Sequence, residues 1–342
     1  VDTTTVTLTA GSTVTEGGQI TYTVTLTNKD GLPIDKHGAL TFTLDDGKTV
    51  ITIPANGTSG TATVTAPDNV YVGANDPIVK SIATVEGADV DKFEKLTLDK
   101  TEVKTTVTDE PGTPGNPGGT NEGDLVKVTI TADQTSVAEN VKPTFTVHIN
   151  QPLDHDLVVT LSNNAQVTIK AGETVGTVTV PAPNDDVFID KSTQTVKITE
   201  TTGGNFEKLE VAGSGATTTI NDTIDKVDVV LTATTTVGEG GNIVYTASLV
   251  DKNGAPVTNI TNPLTVTLDN GKTITIGVNQ SSGSVSVIAP DDVYKGDQTV
   301  TTAIKSVTGG EHFENLVPGT TAVNTTVTDT PGTDNTTTVT LT

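Results

Sequence analysis

The chain has 342 residues, 19 of them basic and 42 acidic, for a net charge of −23, with no Cys, Met or Trp. Every basic residue is Lys, which speaks against nucleic acid or an anionic membrane as partner, and the lack of Cys excludes disulfides and thiolate metal sites. No apolar run is long enough to span a bilayer, and Val1 already lies inside a repeat, so no signal peptide is expected.

In chain order, the first unit reads as seven strands: A 4–10, B 19–27, C 39–45, D 48–54, E 60–66, F 78–86 and G 102–108. Strand B carries the clearest signal. Ile20, Tyr22, Val24 and Leu26 alternate with Thr, giving one buried and one wet face. The turns Asp45-Asp46-Gly47 and Ala55-Asn56-Gly57 have the chemistry that hairpins need. The alternation returns at Pro143, Phe145, Val147 and Ile149, and again at Ile243, Tyr245, Ala247 and Leu249. Abundant Thr and Val favour strands, and no helical period competes. The expected fold is all-β: three tandem immunoglobulin-like antiparallel β-sandwich domains in a head-to-tail rod.

Domain boundaries are expected at 1–110, 124–222 and 225–330. Residues 111–123, with Pro111, Pro114 and Pro117, read as an extended polyproline-like linker. Only Thr223-Ile224 separate the second and third units, so that joint is expected to be the stiffer. The segment 331–342 repeats the opening: TTTVTLT at 336–342 matches TTTVTLT at 3–9, the start of a truncated fourth repeat.

An acidic set recurs with the strands. A Glu precedes strand B (Glu16, Glu139, Glu239), an acidic or amide pair opens the E–F loop (Asp68-Asn69, Asp185-Asp186, Asp291-Asp292), and an Asp closes each unit (Asp109, Asp222, Asp329). Consecutive antiparallel strands run from pole to pole, so the A–B, C–D and E–F connections and the end of G share one pole. Asp45 and Asp269 at the C–D turns join the set there, as does Asp225 at the start of unit three. Carboxylates gathered in this way need a counter-charge, and with no Arg a hard cation supplies it. Ca²⁺, which takes 6–8 oxygen ligands in irregular geometry, suits the set better than Mg²⁺. The acidic pole faces the next unit, so the cation is expected at the domain joints.

The strings TVTEGGQITYTVTLT and ITIPANGTSGTATVTAPDNVYV resemble the repeats of giant bacterial surface adhesins exported by type I secretion, the LapA-like RTX adhesins. They also resemble Calx-β domains; TGGNFEKL (202–209) and TGGEHFENL (308–316) are similar to a recurring element of the adhesin repeats. The resemblance implies that Glu16, Asp68 and Asp109, with their counterparts, hold Ca²⁺, and that Asn69 departs from the usual second Asp. It further implies an extracellular stalk on the bacterial cell surface, an extender for biofilm formation or host attachment. Its partners would be neighbouring repeats, with the adhesive target bound by a tip domain outside this sequence.

Phe93, Phe206 and Phe313, each followed by Glu, are expected to plug the ends of their sandwiches, the alternative being a contact with the preceding unit. His37, His148, His155 and His312 fall at non-equivalent places and read as surface or filler residues. No nucleophile motif or phosphate-cradling loop is present, so an enzyme is not expected. A glycan- or protein-binding module is the alternative function.

Overall fold

The computed structural model describes residues 1–73, 75–120, 123–213, 215–330 and 337–341. In the first repeat the strands are β1 (Thr3–Thr9), β2 (Thr13–Thr15), β3 (Gln19–Asn28), β4 (Leu40–Leu44), β5 (Val50–Ile53) and β6 (Ser59–Thr65). They continue with β7 (Ile78–Lys80), β8 (Ile82–Glu86), β9 (Lys95–Leu98) and β10 (Val103–Thr108). One layer has the order β6-β3-β1-β9. The other consists of β5-β4-β8 and β2-β10-β7, which meet where β7 and β8 follow each other across Ser81. The Asp45 amide donates to the Ser81 carbonyl at 3.0 Å, and the β4–β8 register shifts at Thr43/Leu44. Such a bulge lets one strand serve two partners. The same shift recurs at Thr160/Leu161 and Thr267/Leu268.

The sequence reading missed two short strands, β2 and β9. Both arise because the first and last strands change layers. β1 pairs parallel with β9 in one layer, and β2 pairs parallel with β10 in the other. Short edge segments that swap sheets leave little alternation to read. The crossing is held from inside: Thr105, fully buried, donates its hydroxyl to the Gly11 carbonyl at 2.8 Å, and Thr325 does the same to Thr234 at 2.7 Å.

By its packing the chain divides into two compact units. The first comprises Val1–Thr131, Thr146–Val178 and Lys197–Gly215, and the second Ala132–Phe145, Thr179–Val196 and Ala216–Thr342. The first unit contains the complete first sandwich, with Tyr22, Leu26, Leu40, Phe42 and Leu44 at its core. The second contains the third sandwich, whose core gathers Tyr245, Leu249, Leu264, Val266 and Phe313. Each such buried side chain contributes roughly 1.5–3 kcal/mol. Across the chain the sheets fall into three triplets of the same strand order, one per repeat, so the architecture is three tandem β-sandwiches.

The expected polyproline linker is not extended. The Gly112 amide donates to Asn116 and the Asn116 amide to Thr113, folding the segment into consecutive turns. The side-chain amide of Asn116 donates to the Asp109 carbonyl at 2.9 Å, and Thr113 is buried. The glycines make this compaction possible: a Cβ on Gly115 would lie 1.8 Å from an Asp109 carboxylate oxygen. Asn121 and Glu122 of this segment lie outside the described residues. Of the expected fourth repeat, residues 331–336 and 342 also lie outside them, and 337–341 form no strand.

The glycine at the second place of strand E has one role in all three repeats. A Cβ at Gly60 would lie 2.2 Å from the Thr52 carbonyl oxygen, at Gly176 3.0 Å from that of Thr168, and at Gly283 2.1 Å from that of Thr275. Backbones of opposing layers approach there too closely for a side chain. Gly60→Ala is therefore expected to lower the urea midpoint of the first repeat by an amount corresponding to about 1–3 kcal/mol, while Gly47→Ala, whose Cβ would meet nothing within 4 Å, costs only the strain of its positive φ.

Candidate metal centres at the repeat joints

The layer change of the terminal strands positions the acidic set. Glu16 follows β2 and Asp109 follows β10, and these strands are parallel neighbours. The Glu16 amide donates to the Thr108 carbonyl at 2.9 Å, fixing the two side by side. Asp68 arrives from the loop after β6, and a Cβ on Gly17 would lie 3.3 Å from its carboxylate. The second repeat matches this arrangement: the Glu139 amide donates to Asn221, beside Asp222. In the third, Glu239 donates to Thr328, beside Asp329.

The next repeat adds to the set. Oxygens of Glu16, Asp109 and Glu207 lie within 4.8 Å of one another, and so do those of Glu16, Asp68 and Glu110. At the second joint the same limit holds for Glu139, Asp222 and Glu314, and for Glu139, Asp186 and Asp190. Glu207 and Glu314 belong to the F–G turns of the second and third repeats, so each joint collects five carboxylates from two repeats. Glu110, Glu207, Asp190 and Glu314 were not among the candidate ligands read from the sequence. The recurrent Phe-Glu of each repeat was the signal available for Glu207.

Burial makes these groups costly to ionise. Glu16, Asp109, Glu139 and Glu207 are all buried, and Glu16 Oε1, Glu207 Oε1, Glu110 Oε2 and Glu314 Oε1 are buried with no hydrogen-bond partner among the described residues. Burial, reinforced by the neighbouring carboxylates, pushes Glu110, Glu207 and Glu314 up to about 7. Burial also raises Glu16, and burial with Asp186, Asp222 and Glu139 nearby raises Asp190. Amides already turn toward the cluster: Gly73 donates to Asp109 at 2.7 Å, Asp124 to Glu207 at 3.0 Å and Thr223 to Glu139 at 2.8 Å. Glu16 accepts from Asn75 and Asn69.

Several expected ligands stand apart from these groups. Asp45 accepts from the Ser81 hydroxyl, and Asp269 from the Ala303 amide. The C–D hairpin sits at the end of its layer remote from β2 and β10, which sets these two residues laterally apart from the rest. Asn69 spends its carbonyl oxygen on the Tyr71 amide at 2.7 Å and turns its donors to Glu16. Asp225 is ion-paired to Lys252 at 2.9 Å, and Asp185 accepts from the Thr223 hydroxyl. In the third repeat Asp329 accepts from Gly296, Asp292 from Tyr294 and Gln298, and Asp291 is exposed. Among the described residues no carboxylate triad forms there.

Beside each cluster the two repeats are joined by backbone. Val72 donates to Asn205 at 2.6 Å and Glu207 to Val70 at 3.0 Å, bridging Tyr71 and Phe206, whose rings stack at 5.7 Å. At the second joint Ile189 donates to His312 and Glu314 to Val187, and Phe188 meets Phe313 at 5.2 Å. Phe313 is 4% exposed and also belongs to the third core, so it both plugs its sandwich and contacts the preceding repeat. Phe93 packs on the first core and lies 6.1 Å from His37. The histidines are more than filler. His37 is buried between the Gly38 and Gly57 carbonyls, His155 sits edge-on to Tyr71, and His312 stacks on Phe188. His148 contacts the Thr131 hydroxyl at the surface.

A model of the LapA domain matches the sequence three times, over residues 2–110, 124–223 and 225–330. The chain belongs to the LapA domain family. It is a run of adhesin-type repeat modules, and the family implies a cell-surface adhesin. No curated protein matches it. Solved structures similar to it include CBD12 from CALX1.2, at 12% identity and TM-score 0.25, covering 59% of this chain and 100% of that one. Domains 4 and 5 of the S-layer protein SbsC match at 15% identity and TM-score 0.21, covering 61% and 100%. Native Escherichia coli alpha-2-macroglobulin matches at 12% and 0.21, covering 89% of this chain but only 22% of that one.

The raised carboxyls give the metal-free joint a pH dependence. Glu110 and Glu207 bind protons up to about 7 when folded, against an ordinary 4.5. Their contribution is therefore full below the ordinary value and is lost as pH rises through about 7. In metal-free buffer the melting temperature of a Glu110→Gln, Glu207→Gln variant, measured against wild type, is expected to improve by several degrees between pH 5 and pH 8. A difference independent of pH contradicts the assignment.

Proposed function

We propose that these LapA repeats form an extender, a structural segment of a bacterial surface adhesin whose joints are rigidified by Ca²⁺ in support of biofilm formation or host attachment. The observation that carries this reading is the duplicated joint: five carboxylates from two repeats, with buried oxygens that no donor among the described residues satisfies. The donor set fits a hard divalent cation. All ligand atoms are oxygens, the count approaches the 6–8 that Ca²⁺ accepts, and no Arg competes for the charge. Glu16, Asp68, Asp109, Glu110 and Glu207 would hold the ion at the first joint, and Glu139, Asp186, Asp190, Asp222 and Glu314 at the second.

The ion's contribution is charge compensation. The residues of the chain do the rest: they come from both sides of the joint, so neutralising them favours the arrangement in which the repeats touch. The paired backbone and stacked aromatics join the repeats beside the cluster, so the ion would act together with them in stiffening the joint. An extracellular, non-enzymatic role fits this reading, since extracellular Ca²⁺ modules bind at about 10⁻⁴–10⁻³ M, the range of millimolar Ca²⁺.

Calorimetric titration tests this. Two sites per chain are expected, with the melting temperature rising as the ion stabilises the folded form by about 1.4 kcal/mol per site at ten times Kd. Glu16→Gln with Asp109→Asn should remove one site, and Glu139→Gln with Asp222→Asn the other. Unchanged heats in the fourfold variant, or no thermal shift in 10 mM Ca²⁺ for the wild type, reject the reading.

A further inference from the structure

The two joints share one acidic plan but differ in what lies over it. At the first joint the triad Glu16, Asp109 and Glu207 is buried throughout, and Glu16 Oε1 and Glu207 Oε1 have no partner among the described residues. At the second joint Glu139 is buried, but Asp222 and Glu314 are only half-buried. The connecting sequence differs in the same sense. Pro111 to Gly123 separate the first two repeats, whereas only Thr223-Ile224 separate the next two, and Ile224 is 81% exposed.

The longer connection folds back over its triad. Thr113 anchors it, the hydroxyl and the amide both donating to the Glu110 carbonyl, at 2.8 and 3.3 Å. The Gly112 amide then closes the turn on the Asn116 carbonyl at 2.8 Å. This turn touches both ends of the triad. Gly115 lies so close that a Cβ there would come within 1.8 Å of an Asp109 carboxylate oxygen and 2.6 Å of Val72 Cγ1. On the other side, a Cβ on Gly123 would lie 2.6 Å from the Thr113 methyl and 2.8 Å from Glu207 Cβ, so Thr113 packs where Glu207 enters. The Asn116 side chain pins the turn by donating to the Asp109 carbonyl at 2.9 Å. At the second joint Thr223 donates its amide and hydroxyl to Glu139, and a cleft of about 250 Å³ opens beside Asp186, lined also by Asp185, Asp225 and Lys252.

We propose that the Gly112–Asn116 turn is a lid over the cation site of the first joint, a device that rests on the cation reading above and gives the two joints different rates of exchange. A cation held by Glu16, Asp109 and Glu207 is released only after the turn lifts. Lifting breaks the Asn116 bond to Asp109 and unpacks Thr113 from Glu207, a local opening with its own free-energy cost. The closed turn slows entry as well as exit, so the lid separates the joints in rate rather than in affinity. When the surrounding Ca²⁺ falls, the second joint loses its compensation first and the first joint holds on, so the segment relaxes one joint at a time.

Rapid mixing of the Ca²⁺-loaded whole chain with excess fluorescent chelator tests the lid. One equivalent is expected to leave at least about tenfold more slowly than the other. Glu16→Gln with Asp109→Asn should abolish the slow equivalent, and Glu139→Gln with Asp222→Asn the fast one. Asn116→Ala removes the bond to the Asp109 carbonyl and should speed the slow equivalent about five- to tenfold, with both equivalents still bound in calorimetry. Gly115→Ala pushes the turn off Asp109 and should act in the same direction; where its Cβ displaces Asp109 and the site is lost, Asn116→Ala decides. A single rate for both equivalents, or a slow equivalent that Asn116→Ala leaves unchanged, overturns the lid while the cation reading stands. A chain that takes up no Ca²⁺ at either joint overturns the cation reading, and the lid with it.

Discussion

Five carboxylates crowd each seam between repeats, and the rest of the architecture answers to that repulsion. Glu16, Asp109, Glu139 and Glu207 are buried, so water screens them poorly, and the chain has no Arg to pair with them. What holds them together is covalent and topological. The closing Asp and the Glu before strand B sit on parallel neighbours, the E–F loop folds over both, and the following repeat brings its own Glu through a turn locked by backbone bonds. Acid is concentrated where the protein spends its most specific hydrogen bonding.

Much of this was legible in the residues, and the failures have physical causes. The alternation in strand B predicted the core from Ile20 to Leu26, because period-two burial leaves a direct trace. The recurrence of Glu16, Asp68 and Asp109 predicted their meeting, because strand direction is a binary quantity and counting suffices. Lateral position is not binary, and there the count misplaced Asp45 and Asp269. Asp225 was lost to Lys252, a partner whose approach no local pattern announces. The linker was misread because three evenly spaced prolines outweighed the glycines among them, one of which packs against Asp109 where no Cβ fits.

The joints combine two kinds of interaction with different sensitivities. One is aromatic stacking with a two-residue backbone bridge, and the other is a carboxylate cluster whose buried acids titrate. The histidines, irregularly placed in the sequence, join the first of these: His155 and His312 pad the aromatic contacts.

The exchange of the terminal strands between layers has a mechanical consequence. Within a repeat, β1 runs parallel to β9 and β2 parallel to β10, so the entering and leaving strands lie side by side in both sheets. Tension applied through the ends pulls these neighbours in opposite directions along their length. Their ladder bonds are then loaded together in shear instead of being peeled one at a time from an edge. Rupture requires several bonds to fail at once, so each sandwich should yield abruptly at high force, a suitable property for a module strung in series with its own kind.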